Sequence, residues 1–387
     1  MKRPFEVAAS APVENHLKRC VLPPGQDLWK DLLPAWIDLL GAAPASAFLS
    51  PTWMATWLDH FGSDVDAFGV AWEVDGAIVG AVVLGTGQGR FGPFRVSRAF
   101  LNASGRGAIP EHNEVLALPQ HRSAVLDDLV SILRALSRDE VALIGASDHL
   151  FREVQSRWPV VGWNGYRSNS PYVDLEKVRA GGDGVLPFLS SNTRAQIRRS
   201  VRLYQDRFGP ARLEVEDGPN LLEAFAALVS MHEEVWLARG AGGAFGIELR
   251  AFHEDLLKRV FTARRGLEAQ IVTLRFGAVA VGRLYHLIFG GRVFFYQSGF
   301  NYHEDRRLKP GLVTHLYSIE SCLDRGLSEY DFLGGEPSSV RYKSSLSTDS
   351  RHLWWAQLPA PSVKMKVLQF LRDGKQRLER EEEGRQV

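Results

Sequence analysis

The stretch FFYQSGFNYHEDRRLKPGLVTHLYSIESCLDRGLSEYDFLGGEPSSVRYK, residues 294–343, decides the fold class of this chain. Its pattern predicts a strand, a basic loop, a helix, a second strand, a glycine turn and a Tyr-Lys pair, in that order. The helix opens on a Pro-Gly start signal at 310–311, and Arg306, Arg307 and Lys309 precede it. Because a helix N-terminus favours negative charge, we predict that this loop binds an anion, most naturally a phosphate.

Length and composition limit the class of protein. A chain of 387 residues is long enough for two domains. With 45% hydrophobic and 24% charged residues it is typical of a soluble globular protein, and no stretch is apolar enough to predict insertion into a membrane. The net charge of +1 argues against a dedicated nucleic-acid-binding protein. The first twenty residues lack a signal-peptide core, so we expect a cytoplasmic protein.

Two similar hairpins indicate an internal duplication. WEVDGAIVGAVVLG at 72–85 resembles LRFGAVAVGRLYHL at 274–287. In each stretch a turn glycine, Gly76 or Gly277, is followed by Ala, a short β-branched run and a further glycine. Such hairpins are common, so the similarity is evidence for two related halves without being proof of them.

The second half contains a defined order of elements. We predict a strand at 211–218, helices at 220–239 and 247–264, a hairpin at 268–289, a strand at 292–299, a helix at 312–325, and strands at 328–335 and 350–359. A strand that is reached through a helix is most simply the parallel neighbour of the strand before that helix. The fold class is therefore α/β, with a mixed sheet.

Several local patterns resemble the CelD/BcsL-type acetyltransferase family, which is associated with bacterial polysaccharide and cellulose gene clusters. They are FLSPTW (48–53), SSNTRAQIRRSVRL (190–203), HEEVWLARGAGGAF (232–245), KPGL (309–312) and YDFLGGEPSSVRYK (330–343). The resemblance covers roughly residues 45–358 and implies two tandem GNAT-like domains, similar to those of the Fem-type aminoacyl transferases. The Pro- and Ala-rich segment at 1–28 is predicted to be an irregular tail, and the charge run at 372–387 a charged tail. Between them the resemblance implies an N-terminal domain at 29–178 and a C-terminal domain with the donor site at 179–371.

The resemblance implies a transferase that moves an acyl group, in the first place acetyl, from acyl-CoA to an amine or hydroxyl acceptor. The acceptor would be a small molecule or glycan, such as a sugar or polysaccharide precursor. Acetyl-CoA or another acyl-CoA is then a co-substrate, inserted between the two parallel strands, and no metal is expected. The predicted donor-binding residues are Ser298, Gly299, Arg306, Arg307, Lys309, Pro310, Gly311 and Leu312.

Two alternatives stay open. The loop DRRLKPGL has one glycine, whereas the usual GNAT loop resembles Arg/Gln-x-x-Gly-x-Gly/Ala, so its backbone is less suited to close approach of a pyrophosphate. Fem-type relatives use aminoacyl-tRNA, which makes tRNA the second choice of partner. A stripe of Arg194, Arg198, Arg199 and Arg202 could bind the phosphates of an acyl-CoA donor or the backbone of tRNA. It is also typical of an ordinary solvated helix face. The second alternative is a non-catalytic scaffold of a polysaccharide assembly.

Four residues are catalytic candidates: Tyr342, Lys343, Asp331 and Glu234. Tyr342 could protonate the leaving group, and the Lys343 ammonium could stabilise developing negative charge. Asp331 lies within a strand between two aromatic residues, and Glu234 is a candidate base. Three of them also have a structural interpretation: Tyr342 as a tyrosine packed on the sheet, Lys343 as a surface lysine, and Asp331 as a carboxylate with a structural partner.

Three residues near the end of the first helix of the second half are candidates for acceptor binding: His232, Trp236 and Arg239. His232 and Trp236 are four residues apart and share one helical face. A histidine on such a face is more often a hydrogen-bonded core residue, and Trp236 is either core or the wall of a substrate pocket.

Overall fold

The structure is a computed structural model that describes residues 17–25, 27–44, 46–136, 139–160, 162–238, 245–263, 266–334 and 342–371. Within these ranges the chain forms two compact units. One unit is drawn from Met1–Pro44, Leu58–Arg167 and Trp354–Val387, and the other from Ala45–Trp57 and Ser168–Leu353. The predicted domain boundary at 178/179 stays a prediction. No helix in the described ranges combines the length and apolar character needed to cross a bilayer.

The helices and strands of the described residues follow in chain order. They are β1 (Lys18–Leu22), α1 (Leu28–Leu40), α2 (Pro51–Phe61), β2 (Phe68–Val74), β3 (Ala77–Phe91), β4 (Phe94–Leu101), β5 (Leu116–Ala117), α3 (Arg122–Leu136), β6 (Glu140–Ser147), α4 (Asp148–Arg157), β7 (Asn164–Asp174), α5 (Leu175–Gly181), α6 (Ser191–Phe208), β8 (Ala211–Glu216), α7 (Leu221–Ala238), α8 (Ile247–Ala263), β9 (Glu268–Phe276), β10 (Val279–Phe289), β11 (Arg292–Phe300), α9 (Pro310–Asp324), β12 (Glu329–Asp331) and β13 (Asp349–Pro359). A further helix covers 363–371.

The first unit has a sheet in the order β1-β2-β3-β4-β6, with β5 paired to β3. β2, β3 and β4 are antiparallel neighbours, and β4 is joined through α3 to β6, its parallel neighbour. The core lies between α3, α4 and the sheet, and includes Trp72, Leu129 and Phe151.

The second unit repeats this arrangement. Its sheet has the order β7-β12-β11-β10-β9-β8, and β9, β10 and β11 are antiparallel neighbours. β11 is joined through α9 to β12, and the two strands are parallel, as predicted. Val313, Leu316, Ile319 and Leu323 of α9 recur every three or four residues, so one face of the helix is buried against the sheet.

The two hairpins share a detail that the sequence comparison did not include. β3 carries one extra residue, Val79, opposite β2, and β10 carries one extra residue, Val281, opposite β9. The glycine that follows each bulge faces the crossover helix. A Cβ on Gly80 would lie 2.9 Å from Val125 of α3, and a Cβ on Gly282 would lie 2.4 Å from Thr314 of α9. In both units the glycine therefore allows a helix to approach the hairpin closely, as expected for a duplicated fold.

The N-terminal tail is shorter than predicted. Residues 18–22, which lie within the expected irregular tail, form β1, an antiparallel neighbour of β2. Arg19 on this strand forms an ion pair with Asp128 of α3, which helps to hold the edge strand in place. Five residues beside a Pro-rich segment give too short a pattern for sequence analysis to detect. The charged tail at 372–387 lies outside the described residues.

Candidate active site

The two parallel strands of the second unit part after three residue pairs. β11 and β12 are paired only from Arg292 with Glu329 to Phe294 with Asp331. β11 continues to Phe300 alongside β10, whereas the chain after Asp331 bends away: the Phe332 amide donates to Pro171 O, and Leu333 has a φ of 57°. The edge of β11 beyond Phe294 is therefore not covered by β12.

A β-bulge lies at the same point. Gln297 pairs with Tyr285 of β10 and Phe295 pairs with His286, so Tyr296 is the extra residue on β11. Bulges increase local twist and change the direction of neighbouring groups, which helps β11 to diverge from β12. The Tyr296 ring packs on the face opposite α9, 4.6 Å from the His253 ring.

The predicted anion loop lines a cleft of about 330 Å³ at the start of α9. Its lining includes five of the predicted donor-binding residues together with Tyr342; the five are Arg306, Lys309, Pro310, Gly311 and Leu312. The Lys309 amide donates to Ser200 Oγ on α6 at 2.9 Å, and the first intrahelical bond runs from Val313 N to Lys309 O. Because proline has no N–H, the helix presents the amides of Gly311 and Leu312 at this end.

The three cations of the loop are not equivalent. Arg307 forms an ion pair with Asp305 at 2.8 Å, and Arg207 of α6 contacts the same carboxylate. Hydrogen bonds from Arg307 hold the pKa of Asp305 well below its usual range. Within the described residues neither Arg306 nor Lys309 forms an ion pair, and both side chains line the cleft.

Tyr342 lies at the mouth of the cleft. Its side chain is 36% exposed, and its ring centroid is 6.1 Å from that of His315 on α9. Burial of the phenol end raises the pKa of Tyr342, and nearby Tyr302 raises it further. The hydroxyl therefore keeps its proton at neutral pH. Its predicted role as a proton donor remains a prediction.

Lys343 lies close to the strand split but interacts with the backbone. Its Nζ donates to Phe332 O at 2.8 Å and to Gly334 O at 3.1 Å, and it lies 5.6 Å from the centroid of the Phe295 ring. These bonds hold the chain segment that follows β12. The ammonium is thus near the predicted reactive end of the donor, while its described contacts are structural; a catalytic role remains a prediction.

Asp331 and Glu234 lie in contrasting environments. Asp331 is fully buried, accepts a hydrogen bond from Ser170 Oγ at 2.8 Å and lies 3.6 Å from Arg292 Nη2, which favours a structural partnership. Glu234 is on the exposed side of α7 and accepts a hydrogen bond from Ser230 Oγ at 3.3 Å. His232 is on the buried side of the same helix. The catalytic roles of both carboxylates remain predictions.

His232, Ser298 and Gly299 join α7 to β11. His232 Nδ1 lies 2.8 Å from Ser298 O, so the ring donates from this nitrogen, and burial lowers the pKa of His232. A Cβ on Gly299 would lie 2.9 Å from Leu228 O, so the glycine allows close helix packing. The Trp236 side chain and all of Arg239 lie outside the described residues, so acceptor binding by this helix end remains a prediction.

Sequence analysis missed a row of buried polar side chains beneath the strand split: Gln270, His286, Tyr330 and His315. They come from β9, β10, β12 and α9, and each contacts the next. His286 and His315 occur within apolar stretches, where a histidine usually indicates core. No spacing in the sequence could have linked residues that are 15 to 44 positions apart along the chain.

The first unit has a different charge arrangement at the start of its crossover helix. Arg122, the first residue of α3, lies 2.8 Å from Glu114 and 2.7 Å from Glu153. Two carboxylates therefore neutralise the cation at this helix start, which makes it a poor place for a phosphate.

The family comparison and the structural comparisons agree with this architecture. Residues 191–344 match the family model described as an acetyltransferase (GNAT) domain. Comparison with curated protein sequences gives no match. Among the described residues, no group of three His, Cys, Asp or Glu side chains is arranged to hold a metal ion.

Three similar solved structures cover most of the chain. FemX is 11% identical, with a TM-score of 0.53 over 86% of this chain and 96% of FemX. A conserved protein of unknown function from Bacteroides thetaiotaomicron VPI-5482 is 10% identical, with a TM-score of 0.54 over 88% of this chain and 100% of that one. L-PGS from Bacillus licheniformis is 13% identical, with a TM-score of 0.50 over 86% of this chain and 94% of that one.

At these identities the solved structures support the fold alone, and the family match supports the activity class. The predicted fold class, mixed α/β with two GNAT-like domains, is confirmed. Residues 191–344 carry a GNAT acetyltransferase domain, and this match supports an acyltransferase enzyme.

Proposed function

We propose that the second unit transfers an acyl group, in the first place acetyl, from acyl-CoA to an amine or hydroxyl acceptor of the kind found on sugars and polysaccharide precursors. The observation that carries the proposal is the cleft at the start of α9, the helix that joins the two diverging strands β11 and β12. This cleft combines a helix N-terminus with two cations that have no ion-pair partner in the described part of the chain, which suits the pyrophosphate of a CoA thioester.

The chemistry of the proposal assigns a task to each group. The acceptor's lone pair attacks the thioester carbon, and the electrons of the breaking C–S bond leave with sulfur. A backbone N–H of β11 beyond the split would stabilise the oxyanion. Tyr342, whose phenol keeps its proton at neutral pH, would protonate the leaving thiolate. Glu234 or His232 would take the acceptor's proton.

Isothermal titration with acetyl-CoA, longer acyl-CoAs and free CoA tests the donor site. We expect saturable binding that weakens with salt, because the contacts to phosphate are between charges. The combined change Arg306→Glu and Lys309→Glu should abolish binding without unfolding the protein. Lys30→Glu with Arg134→Glu is the matched control, since both residues are exposed, lie in the first unit and give the same change in net charge. Unchanged affinity in the first variant would refute the donor site.

A specific observation favours a second candidate, an aminoacyl-tRNA-dependent transferase. Arg198, Arg199 and Arg202 are exposed on α6, whose Ser200 contacts the start of α9. A basic helix next to an anion-binding loop could follow a nucleic-acid backbone. The similarity to FemX shows that the folds are alike and gives no evidence about the donor.

The arginine helix separates the two candidates. Replacement of all three exposed arginines by glutamate should abolish aminoacyl-tRNA binding in a filter-binding assay if tRNA is the donor. If acyl-CoA is the donor, we expect no saturable tRNA binding by the wild type and continued acyl-CoA binding by the variant. A non-catalytic scaffold would bind neither donor and would give no turnover with any acceptor.

A further inference from the structure

A chain of hydrogen-bonded side chains runs through the second unit to the strand split. Arg325, just after α9, donates to Gln270 Oε1. Gln270 Nε2 lies 3.0 Å from His286 Nδ1, His286 Nε2 lies 2.9 Å from Tyr330 Oη, and Tyr330 Oη lies 2.9 Å from His315 Nδ1. All members except Arg325 are buried. The proposed transfer reaction does not use them.

The guanidinium fixes the direction of the bonds as far as the Tyr330 oxygen, because arginine has donors and no acceptor. Gln270 must accept through its oxygen and so donates through Nε2 to His286 Nδ1. The proton of His286 is then on Nε2 and is donated to the Tyr330 oxygen. Once His286 donates to the Tyr330 oxygen, His315 Nδ1 is the one acceptor among the described residues at hydrogen-bond distance from the Tyr330 hydroxyl, and this favours donation by the hydroxyl to His315 Nδ1. A neutral His315 therefore carries its own proton on Nε2.

The chain ends on a buried donor. His315 Nε2 is inaccessible to solvent, and no described residue accepts a hydrogen bond from it. Burial lowers the pKa of His315 well below its usual range, with His286 and Lys343 adding to the effect, so the ring is neutral at physiological pH. A buried N–H without an acceptor is unfavourable and is rare in folded proteins.

This donor lies where the strands part. The His315 ring is 4.5 Å from the ring of Phe295 and 5.1 Å from that of Phe332. These are the first residues on β11 and after β12 that follow the last strand pair. Phe300 and Tyr342, whose ring centroids are each 6.1 Å from that of His315, line the cleft at the start of α9. The buried end of the chain therefore stands directly behind the cleft.

We propose that His315 Nε2–H donates a hydrogen bond to a carbonyl oxygen of the acyl donor, where the donor's arm passes between β11 and β12. The proposal rests on the proposed function, because it needs an acyl thioester in the strand split. Amide and thioester carbonyls are acceptors only, which matches an imidazole held as a donor. His315 is thus a binding residue, whereas Arg325, Gln270, His286 and Tyr330 are positioning residues that set its tautomer.

Two substitutions of His315 test this in opposite directions. His315→Asn can accept from Tyr330 near the position of Nδ1 but has no donor at the position of Nε2. His315→Gln places an amide N–H near the position of Nε2 but gives up the ring acceptor for Tyr330. In titrations of the full chain with acetyl-CoA we expect His315→Asn to weaken binding about tenfold and His315→Gln to stay within about threefold of the wild type. A purely structural role predicts the reverse order, and that result would overturn the proposal.

Nitrogen NMR of the wild-type protein with ¹⁵N-labelled histidine gives a readout that stability changes do not affect. Free protein should show His286 and His315 as Nε2–H tautomers, and saturation with acetyl-CoA should shift the His315 Nε2 signal more than that of His286. A proton on His315 Nδ1, or a signal that donor binding leaves unchanged, would overturn the inference but not the proposed function. Failure of the wild type to bind any acyl-CoA would overturn both.

Discussion

Replacement of Gly299 by alanine should destabilise the protein, although the sequence suggests a ligand-binding role for this residue. A Cβ at this position would lie 2.9 Å from Leu228 O, 2.9 Å from Met231 Cβ and 3.1 Å from His232 N. Two of these three atoms belong to the α7 backbone, which cannot rotate away as a flexible side chain can. α7 would have to move away from β11, and such overpacking costs about 1–3 kcal/mol.

Gly311→Ala is the matched control. A Cβ there would lie 3.5 Å from Phe300, which is an ordinary contact, and the residue is in the first turn of α9. Alanine is a better helix former than glycine, so we expect stability within about 1 kcal/mol of the wild type, with any change favourable.

Chemical denaturation followed by circular dichroism measures both variants. We expect a lower midpoint for Gly299→Ala and an equal or higher midpoint for Gly311→Ala. Titration with acetyl-CoA shows in addition whether the displaced α7 affects the donor site. Equal midpoints for Gly299→Ala and the wild type would refute the close-packing argument and would leave ligand approach as the reason for the glycine.

Three further predictions concern single side chains. Tyr342→Phe should lower kcat by about 10²–10⁴-fold if the phenol protonates the leaving group. The Kd of free CoA should change by less than about threefold. A kcat within about tenfold of the wild type would contradict this role. Lys343→Met keeps an apolar side chain but removes the ammonium that donates to three buried carbonyls. We therefore expect the free energy of unfolding to fall by about 1–3 kcal/mol. A variant as stable as the wild type would show that water or another residue replaces the ammonium. Buried His253 and His286 have pKa values lowered to about 3 from 6.5, so the unfolded chain binds protons that the folded protein does not, and stability should fall as pH drops from 6.5 towards 3. Each histidine contributes at most about 1.4 kcal/mol per pH unit. Denaturation midpoints measured against pH should show a shallower decline in His253→Gln. An identical slope would mean that His253 has the same pKa in the folded protein as in the unfolded chain.

Much of the second unit could be predicted because its signals are local. Apolar periodicity and turn residues located α7 and α9 and the strands from β8 to β11 to within two residues. The start of α8 was also located correctly, and its predicted end at residue 264 lies outside the described ranges. The crossover rule gave the parallel pairing of β11 with β12. β12 is shorter than predicted because Leu333 and the Phe332 amide turn the chain away after Asp331, and this depends on β7, a partner far away in sequence.

The sequence by itself determined the fold class and the position of the basic loop before α9, and it indicated the internal duplication, since hydrophobic period, turn glycines and clustered cations are patterns within a few residues. Only the tertiary structure decided which of those cations stays available: Asp305 neutralises Arg307 while Arg306 and Lys309 remain in the cleft. It also decided that Gly299 lies against α7 and that His315 ends a chain of directed hydrogen bonds from Arg325. Hydrogen bonds, ion pairs and close backbone contacts depend on distances between elements far apart in the chain, and such distances leave no periodic trace in the sequence.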